Sequence, residues 1–399
     1  MKVNKVLEKS IFLFFIITSI VVFFGYATIT PNEKASCILI MTTAILIFML
    51  HGKKSLKIEN NTKLLLLFDI ICSISLIYTI SFEFTSNQLV IIWALTIFKI
   101  VLDNIDFNLN MINKIINIVM FFGFIHVLFT LLYFLFPSFV QSICKSVLTE
   151  KGYLYNINLY KYGCIAGITS DHGSNATFIS IFLSASSVKM FKKFNLNNLI
   201  LFLLGFLALL LTGKRGHLIA SVLAFFIIFI TINKNDKKKL KNFLIGSIIV
   251  ILSISILSFV PETQFVFNRF REAKTTSDLL NGRGNIYLIL IRNFSNHIML
   301  GSGLKSTLVI NSFNDGHNIY LQLLSENGLI GFMIMILFFI KNLIQSFKLS
   351  DSNYKYFSIS YQIFFLVYGM SGNPLYYVPT LIIYFFCSLN YNLKGEIRK

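Results

Sequence analysis

The sequence predicts an all-α, polytopic integral membrane protein with about twelve transmembrane helices. Of its 399 residues 55% are hydrophobic and 13% charged, with 43 phenylalanines, a composition that ordinary soluble domains do not have. Apolar segments approaching the roughly 20 residues that cross a bilayer recur along the whole chain. Because lipid offers no hydrogen-bond partners, the backbone N–H and C=O groups of each such segment must bond to one another, as they do in a helix. We therefore treat residues 1–399 as a single polytopic membrane domain.

The predicted spans follow one another along the chain with short connections in most places. Several are shorter than the roughly 20 residues that a perpendicular crossing needs, so the pattern supports ten to twelve spans. They cover residues 11–29, 35–50, 63–82, 88–102, 115–136, 175–191, 199–211, 216–232, 243–260, 318–340, 356–370 and 376–389.

Lysine and arginine predict the orientation, because cytoplasmic loops retain these residues and short translocated loops carry few. With the amino terminus inside, about two thirds of the 35 basic residues fall in inner segments. Both termini are therefore predicted to be cytoplasmic. The net charge of +18 then reflects topology beside anionic membrane lipids. No basic groove interleaved with aromatic residues accompanies it, so nucleic acid is not an expected partner.

Two long outer loops interrupt the series of spans, and long loops in a compact chain are usually functional. Residues 137–174 precede the sixth span and residues 261–316 precede the tenth. Between them, residues 212–216 form a tight outer hairpin. Cys144 and Cys164 share the first loop and could pair if the outside is oxidising.

Four short patches lie in order between residues 163 and 331. Residues 167–176 begin Gly-Ile-Thr and end Asn-Ala, and residues 212–216 read Thr-Gly-Lys-Arg-Gly. Gly282-Arg283 precedes Tyr287 and a Gly-x-Gly at 301–303, and residues 317–331 contain His-Asn-Ile-Tyr-Leu and Glu-Asn-Gly-Leu-Ile-Gly. Together they resemble the motifs of the O-antigen polymerase and O-antigen ligase superfamily, bacterial multi-span enzymes that act on lipid-linked oligosaccharides outside the plasma membrane. Tyr287 stands where that family more often has Trp.

The resemblance implies glycosyl transfer from an undecaprenyl-pyrophosphate-linked oligosaccharide at the outer face of the bacterial inner membrane. Guanidinium groups stay charged and grip phosphate through two parallel hydrogen bonds, so Arg215 and Arg283 are the expected clamps for the leaving pyrophosphate. His317 is the candidate general base for the acceptor hydroxyl. The outer loops contain no DxD-like acidic pair, so we expect a metal-independent reaction without a cofactor.

Other residues of the four patches are expected to bind substrate, namely Asn318, Tyr320, Tyr287, Glu326, Asn175 and Lys214. Each candidate also has a structural interpretation. Arg215 could snorkel at the interface, Arg283 could be a solvated charge, and His317 could be only a polar helix end. Asn318 could cap a helix, and Glu326 could hold a structural partner. Surface, loop or cap roles are expected for Arg269, Arg271, Arg292, His172, His297, Asp171 and Asp315.

The first functional hypothesis is a polymerase of O-antigen or capsule-type polysaccharide, which joins lipid-linked repeat units. We rank it first because polymerases of this superfamily are individually diverse in sequence. A ligase that passes the glycan to lipid A-core or another acceptor is the alternative. Membrane lipids are expected partners, and the resemblance leaves room for a chain-length regulator protein. A lipid-linked oligosaccharide flippase is the hypothesis from another class, but it should place charges in mid-membrane rather than in outer loops.

Overall fold

The computed structural model describes residues 5–29, 33–50, 56–231, 283–312 and 314–389, together with isolated positions between 232 and 282. The predicted ninth span at 243–260 therefore lies outside the described residues apart from such positions. So do the first part of the second long loop, with Arg269 and Arg271, and Gly282 of the Gly-Arg motif.

All regular structure in the described ranges is helical, and no strand is formed there. A π-helical segment, Val21–Ile29, continues the first helix, and a short 3₁₀ turn, Ser75–Ile77, ends the third. The α-helices are α1 Lys5–Ile20, α2 Glu33–Leu50, α3 Asn60–Ile74, α4 Phe82–Asn104, α5 Leu109–Leu135, α6 Pro137–Val147, α7 Glu150–Lys161, α8 His172–Lys192, α9 Leu196–Leu211, α10 Arg215–Thr231, α11 Gly284–Asn296, α12 Ser306–Ile310, α13 Ile319–Lys348, α14 Asn353–Tyr368 and α15 Val378–Cys387.

Five of the described segments are long and apolar enough to cross a membrane: Glu8–Gly25, Asn60–Ile77, Phe82–Asn104, Leu109–Leu135 and Ile319–Lys348. Shorter apolar helices accompany them at Ser36–Met49, Leu196–Leu211, Arg215–Thr231 and Val378–Cys387. Large apolar side chains are exposed on several of these helices, as lipid contact requires. The multi-pass, all-α class is thus confirmed, whereas the twelve-span count and the orientation stay predictions.

Helix α8 lies at the centre of the bundle, packed against α5, α9, α10 and α14. Almost all of its side chains are buried, including a series of serines that bond back to its own backbone. Glycines admit the neighbouring helices: a Cβ on Gly123 of α5 would lie 2.8 Å from the Cβ of Phe182, and one on Gly205 of α9 would lie 2.7 Å from the ring. This segment, predicted as the sixth span, is therefore enclosed by protein rather than by lipid.

The first long loop is largely ordered. Residues 137–174 contain α6, α7 and a buried segment at 164–169. Asn156 of α7 holds that segment, since its Nδ2 donates to the carbonyls of Gly167 at 3.1 Å and Thr169 at 2.6 Å. Cys144 and Cys164 do not form the disulfide considered above: both are buried free thiols, and Cys144 Sγ instead donates to Gly167 O at 3.4 Å.

The Gly-x-Gly motif docks against a break in α13. Gly328 interrupts that helix with φ 62° and ψ −169°, which frees backbone groups that need new partners. The loop supplies them, because Ser302 N donates to Ser325 O at 3.0 Å and Gly303 N to Glu326 O at 2.9 Å. In the other direction, Leu329 N donates to Ile298 O at 2.8 Å. Two motifs far apart in sequence thus form one interlocked backbone contact.

We expect Gly301→Ala and Gly328→Ala each to lower the free energy of unfolding by at least about 2 kcal/mol. Both glycines have positive φ, and an added Cβ would lie 2.3 Å from the Glu326 carbonyl carbon or 2.4 Å from that of Met299. Thermal unfolding in detergent measures the effect. Gly25→Ala is the control, because its Cβ would be 3.5 Å from the nearest atom, Val21 Cγ1. Melting temperatures equal to that of the control would contradict the interlock.

Candidate active site

A cavity of about 780 Å³ lies where α8, α10 and α11 begin, beside His317, two residues before the start of α13. The loop between α14 and α15, residues 369–377, closes another side of it. Three side chains that the sequence singled out, Arg215, Arg283 and His317, line this one cavity. The remaining acidic, basic and imidazole side chains of the lining are Asp171, His172, Lys214, His217, Lys305 and Asp315.

The hairpin at residues 212–216 owes its shape to its glycines and threonine. Thr212 ends α9 and its hydroxyl accepts from Lys214 N at 3.3 Å, while Gly213 takes φ 68° at the turn. Gly216 permits close contact with the 369–377 loop, because a Cβ there would lie 2.2 Å from Ser371 Oγ. The Thr-Gly-Lys-Arg-Gly pattern therefore brings Lys214 and Arg215 to the cavity on a tight turn.

The amino terminus of α8 forms the wall of the cavity next to the hairpin. Asp171 caps it, accepting from Gly173 N at 2.6 Å and Ser174 N at 3.1 Å, as expected of a cap residue. His172 Nδ1 lies 3.0 Å from Thr212 O, which ties α8 to the hairpin. The Lys214 side chain extends from the hairpin to the first turn of α8, where a Cβ added to Gly173 would lie 3.5 Å from Lys214 Nζ. His172, expected to be only a loop residue, is thus the first residue of α8 and lines the cavity.

Arg283 is held at the start of α11. It occupies the N-cap position, and its Nη1 donates to the carbonyl of Ser371 at 2.7 Å. That bond uses one of the five guanidinium N–H donors. One turn on, the Tyr287 hydroxyl donates to the His317 carbonyl at 3.4 Å. The Gly-Arg-x-x-x-aromatic pattern therefore orients both Arg283 and the backbone of the candidate base.

His317 has an unusual backbone conformation, with φ 51°. A non-glycine residue in this region is uncommon, and such strain persists only where the surroundings enforce it. Burial is the main cause that lowers the pKa of His317 below its ordinary value. The Arg283 and Lys214 cations lower it further, while the Asp315 carboxylate opposes them. The imidazole is therefore predominantly neutral at pH 7 and able to accept a proton.

The electrostatic field in the cavity favours anions. Four basic side chains, Lys214, Arg215, Arg283 and Lys305, share its lining with two carboxylates, one of which caps α8. The helices α8, α10 and α11 also begin at the cavity, and each amino terminus carries about half a positive charge. Among the described residues no three His, Cys, Asp or Glu side chains are grouped to hold a metal ion. The metal-independent reaction itself stays a prediction.

Lys305 and Tyr376 are cavity residues that the sequence analysis missed. The Lys305 ammonium lies 4.5 Å from the centroid of the Tyr376 ring and 3.5 Å from Asp315 Oδ1. The Tyr376 hydroxyl donates to Glu326 Oε2 at 2.6 Å. Glu326 is fully buried, and its other oxygen accepts from Gln322 Nε2 at 2.8 Å. Glu326 thus holds a structural partner behind the cavity wall.

Of the six predicted substrate-binding residues, Lys214 is the one among the described lining residues. Asn318 caps α13, accepting from the backbone N–H of both Tyr320 and Leu321. Tyr320 donates its hydroxyl to Leu366 O at 2.7 Å, and Asn175 is fully buried with its Nδ2 donating to Thr130. Tyr287 and Glu326 act on cavity residues from outside the lining, as described above. The geometry therefore gives these five side chains structural contacts.

The 369–377 loop gave little sequence signal, because it reads as a short outer turn around Gly372. Its contribution depends on backbone and packing: Ser371 offers a carbonyl to Arg283, and Gly369 O accepts from Ile319 N at 2.9 Å at the start of α13. Such contacts leave no residue pattern to recognise. These contacts exist only in the folded chain, where α13 packs against α14.

Residues 200–336 match the family model described as O-Antigen ligase. Over this region the chain is similar to the O-antigen ligase family. This match confirms the superfamily resemblance read from the four patches. Among curated proteins none matches this chain. The matched region includes the hairpin, Arg283, Lys305 and His317, whereas the α8 wall and the 369–377 loop complete the same cavity from outside it.

Proposed function

We propose that the protein is a glycosyltransferase that joins undecaprenyl-pyrophosphate-linked oligosaccharide repeat units on the outer face of the bacterial plasma membrane. The observation that carries this proposal is the convergence of Arg215, Arg283 and His317 on one cation-rich cavity. The match of residues 200–336 to the O-antigen ligase family model supports the proposal, because that region contains three of the four patches.

The reaction moves a glycan from a pyrophosphate to a hydroxyl. As the glycosidic bond breaks, negative charge grows on the pyrophosphate, and fixed cations stabilise that charge most effectively where water is limited. Arg215 approaches from the hairpin and Arg283 from α11, so the two guanidinium groups come from independent elements. Arg283 is already oriented by Ser371 O, which reduces the reorganisation needed when the donor binds.

The acceptor hydroxyl loses its proton to His317. A single displacement of this kind inverts the anomeric carbon. Burial and the neighbouring cations keep the His317 imidazole neutral before the reaction, and the proton it takes up is offset by the pyrophosphate charge in the same cavity. No second nucleophile is required by this scheme.

The ligase reaction is the second candidate, favoured by the description of the matching family as O-antigen ligase. One assay distinguishes the polymerase reaction from the ligase reaction. The purified protein is supplied with synthetic lipid-linked repeat units, first alone and then with lipid A-core, both in the presence of a strong chelator. Elongated lipid-linked products from the donor alone support the polymerase. Products that form only with lipid A-core support the ligase, and movement across vesicles without any glycan transfer would replace both with a transporter.

The pH dependence of kcat/KM should show an acid limb below pH 6.5, because His317 must be unprotonated and its pKa lies below the ordinary value. Lys214→Gln removes a cation that lowers this pKa, so the limb should move to higher pH. Asp315→Asn removes a carboxylate that raises it, so the limb should move to lower pH. Profiles that stay superimposed in both variants would show that His317 is not the group observed.

A further inference from the structure

We infer that Lys305 is a further substrate-binding residue, an ammonium held in place to contact the pyrophosphate of the lipid-linked saccharide. This inference rests on the proposed function and adds Lys305, from a third chain segment, to Arg215 and Arg283 as a residue that contacts the pyrophosphate. The backbone of Lys305 is strained.

Lys305 has φ 60° and ψ 10°, the left-handed conformation that side-chain-bearing residues rarely adopt. Its neighbours are fixed on both sides. Leu304 is buried, and its carbonyl oxygen accepts a hydrogen bond from the Thr85 hydroxyl at 2.7 Å. The backbone N–H of Gly303 donates to Glu326 O in α13. Ser306 is also buried, and its hydroxyl is within 2.7 Å of that of Ser302. The surrounding contacts therefore maintain a backbone conformation that is unfavourable for a residue with a side chain.

The Lys305 side chain lines the cavity. Only 14% of the side chain is exposed, although a lysine normally keeps its ammonium in bulk water. The Nζ lies over the Tyr376 ring at 4.5 Å, and the Tyr376 hydroxyl is anchored by buried Glu326 at 2.6 Å. The cation–π contact fixes the position of the ammonium over the ring. Its N–H donors can still bond oxygen atoms of a ligand in the cavity.

Asp315 is too exposed to account for the arrangement as an ion pair alone. Its side chain is 40% exposed and its Oδ1 is 3.5 Å from Nζ, a geometry typical of weak pairs. The cavity lining holds four basic side chains against two carboxylates, with the buried Glu326 carboxyl as the further acidic group near Lys305. An anion is therefore the chemical class of ligand that balances the site. A pyrophosphate carries enough charge and oxygen atoms to contact Arg215, Arg283 and Lys305 together.

The test measures binding of farnesyl pyrophosphate to the detergent-purified full-length protein by calorimetry at two salt concentrations. Lys305→Met should weaken binding about tenfold and reduce its salt dependence, because one charge contact is lost. Lys305→Arg should recover most of the affinity. Lys161→Met is the matched control, since that lysine is exposed outside the cavity. Farnesyl monophosphate and phosphatidylglycerol vesicles, tested in parallel, should bind more weakly and respond less to the substitution.

Transfer kinetics extend the test. Lys305→Met should raise the KM for the lipid-linked donor with a smaller change in kcat, and Tyr376→Phe, which keeps the ring but loses the Glu326 bond, should raise it less. A folded Lys305→Met protein that binds farnesyl pyrophosphate like wild type overturns the inference and leaves the proposed function intact. If wild type binds the probe but transfers no glycan to any acceptor, the proposed function fails while the lysine site stands.

Discussion

Replacing His317 by asparagine is expected to lower kcat for glycan transfer about 10²–10⁴-fold, the range lost when a general base is removed. Binding of farnesyl pyrophosphate should remain within about twofold of wild type, because the cations that hold the phosphates are unchanged. Asparagine is preferred to alanine here, since it tolerates the left-handed backbone conformation that His317 adopts with φ 51°. The loss should therefore report chemistry rather than misfolding.

The control for this substitution is His297→Asn. His297 ends α11 on an exposed part of the chain and does not line the cavity, so its replacement should leave turnover unchanged. Single-turnover kinetics with a fluorescent lipid-linked donor separate chemistry from binding. Turnover by His317→Asn equal to that of the control would mean that another group, or water, accepts the proton.

Replacing Arg283 by alanine should lower kcat/KM about 10²–10³-fold, as expected when a preorganised donor to a developing anion is removed. Arg283→Lys should recover only part of this loss. A lysine keeps the charge but lacks the planar fork, and it cannot donate to Ser371 O and grip a phosphate in the same geometry. The change should fall on both kcat and KM, because the guanidinium binds the donor and also stabilises the leaving group.

Arg292 provides the matched control because it lies on the same helix, α11, with an exposed side chain outside the cavity. Arg292→Ala should behave like wild type in steady-state kinetics. If Arg283→Ala and Arg292→Ala lose activity equally, helix stability rather than phosphate binding explains the effect. Arg215→Ala should resemble Arg283→Ala, since the hairpin brings its guanidinium to the same cavity.

The sequence was most informative about charged and titratable residues that belong to short motifs. Arg215, Arg283 and His317 were singled out from separate segments, and the folded chain brings all three to one cavity. Helix placement was also predictable, because apolar runs must become helices in lipid. Whether a helix meets lipid or protein was not: α8 reads as a span, yet its serines and small residues mark a helix enclosed by the bundle.

The sequence was least informative where function depends on backbone geometry. Ser371 contributes a carbonyl oxygen, and Lys305 reaches the cavity through a left-handed backbone that no residue pattern encodes. The glycines at 301 and 328 were recognised as motif positions, but their reason, close backbone contact between two distant segments, required the packed structure. For the same reason the sequence did not show that the Asn318 side chain caps α13 or that Glu326 bonds the Tyr376 hydroxyl.

The measurement that tests the central claim most directly is incubation of the purified protein with synthetic undecaprenyl-pyrophosphate repeat units, followed by separation of the products by length on a gel. Wild type should produce a ladder of elongated lipid-linked glycans, and His317→Asn should produce none while still binding the donor. An unchanged ladder in the variant, or the absence of any transfer by wild type to repeat units or to lipid A-core, would contradict the assignment of this cavity as a glycosyltransferase site.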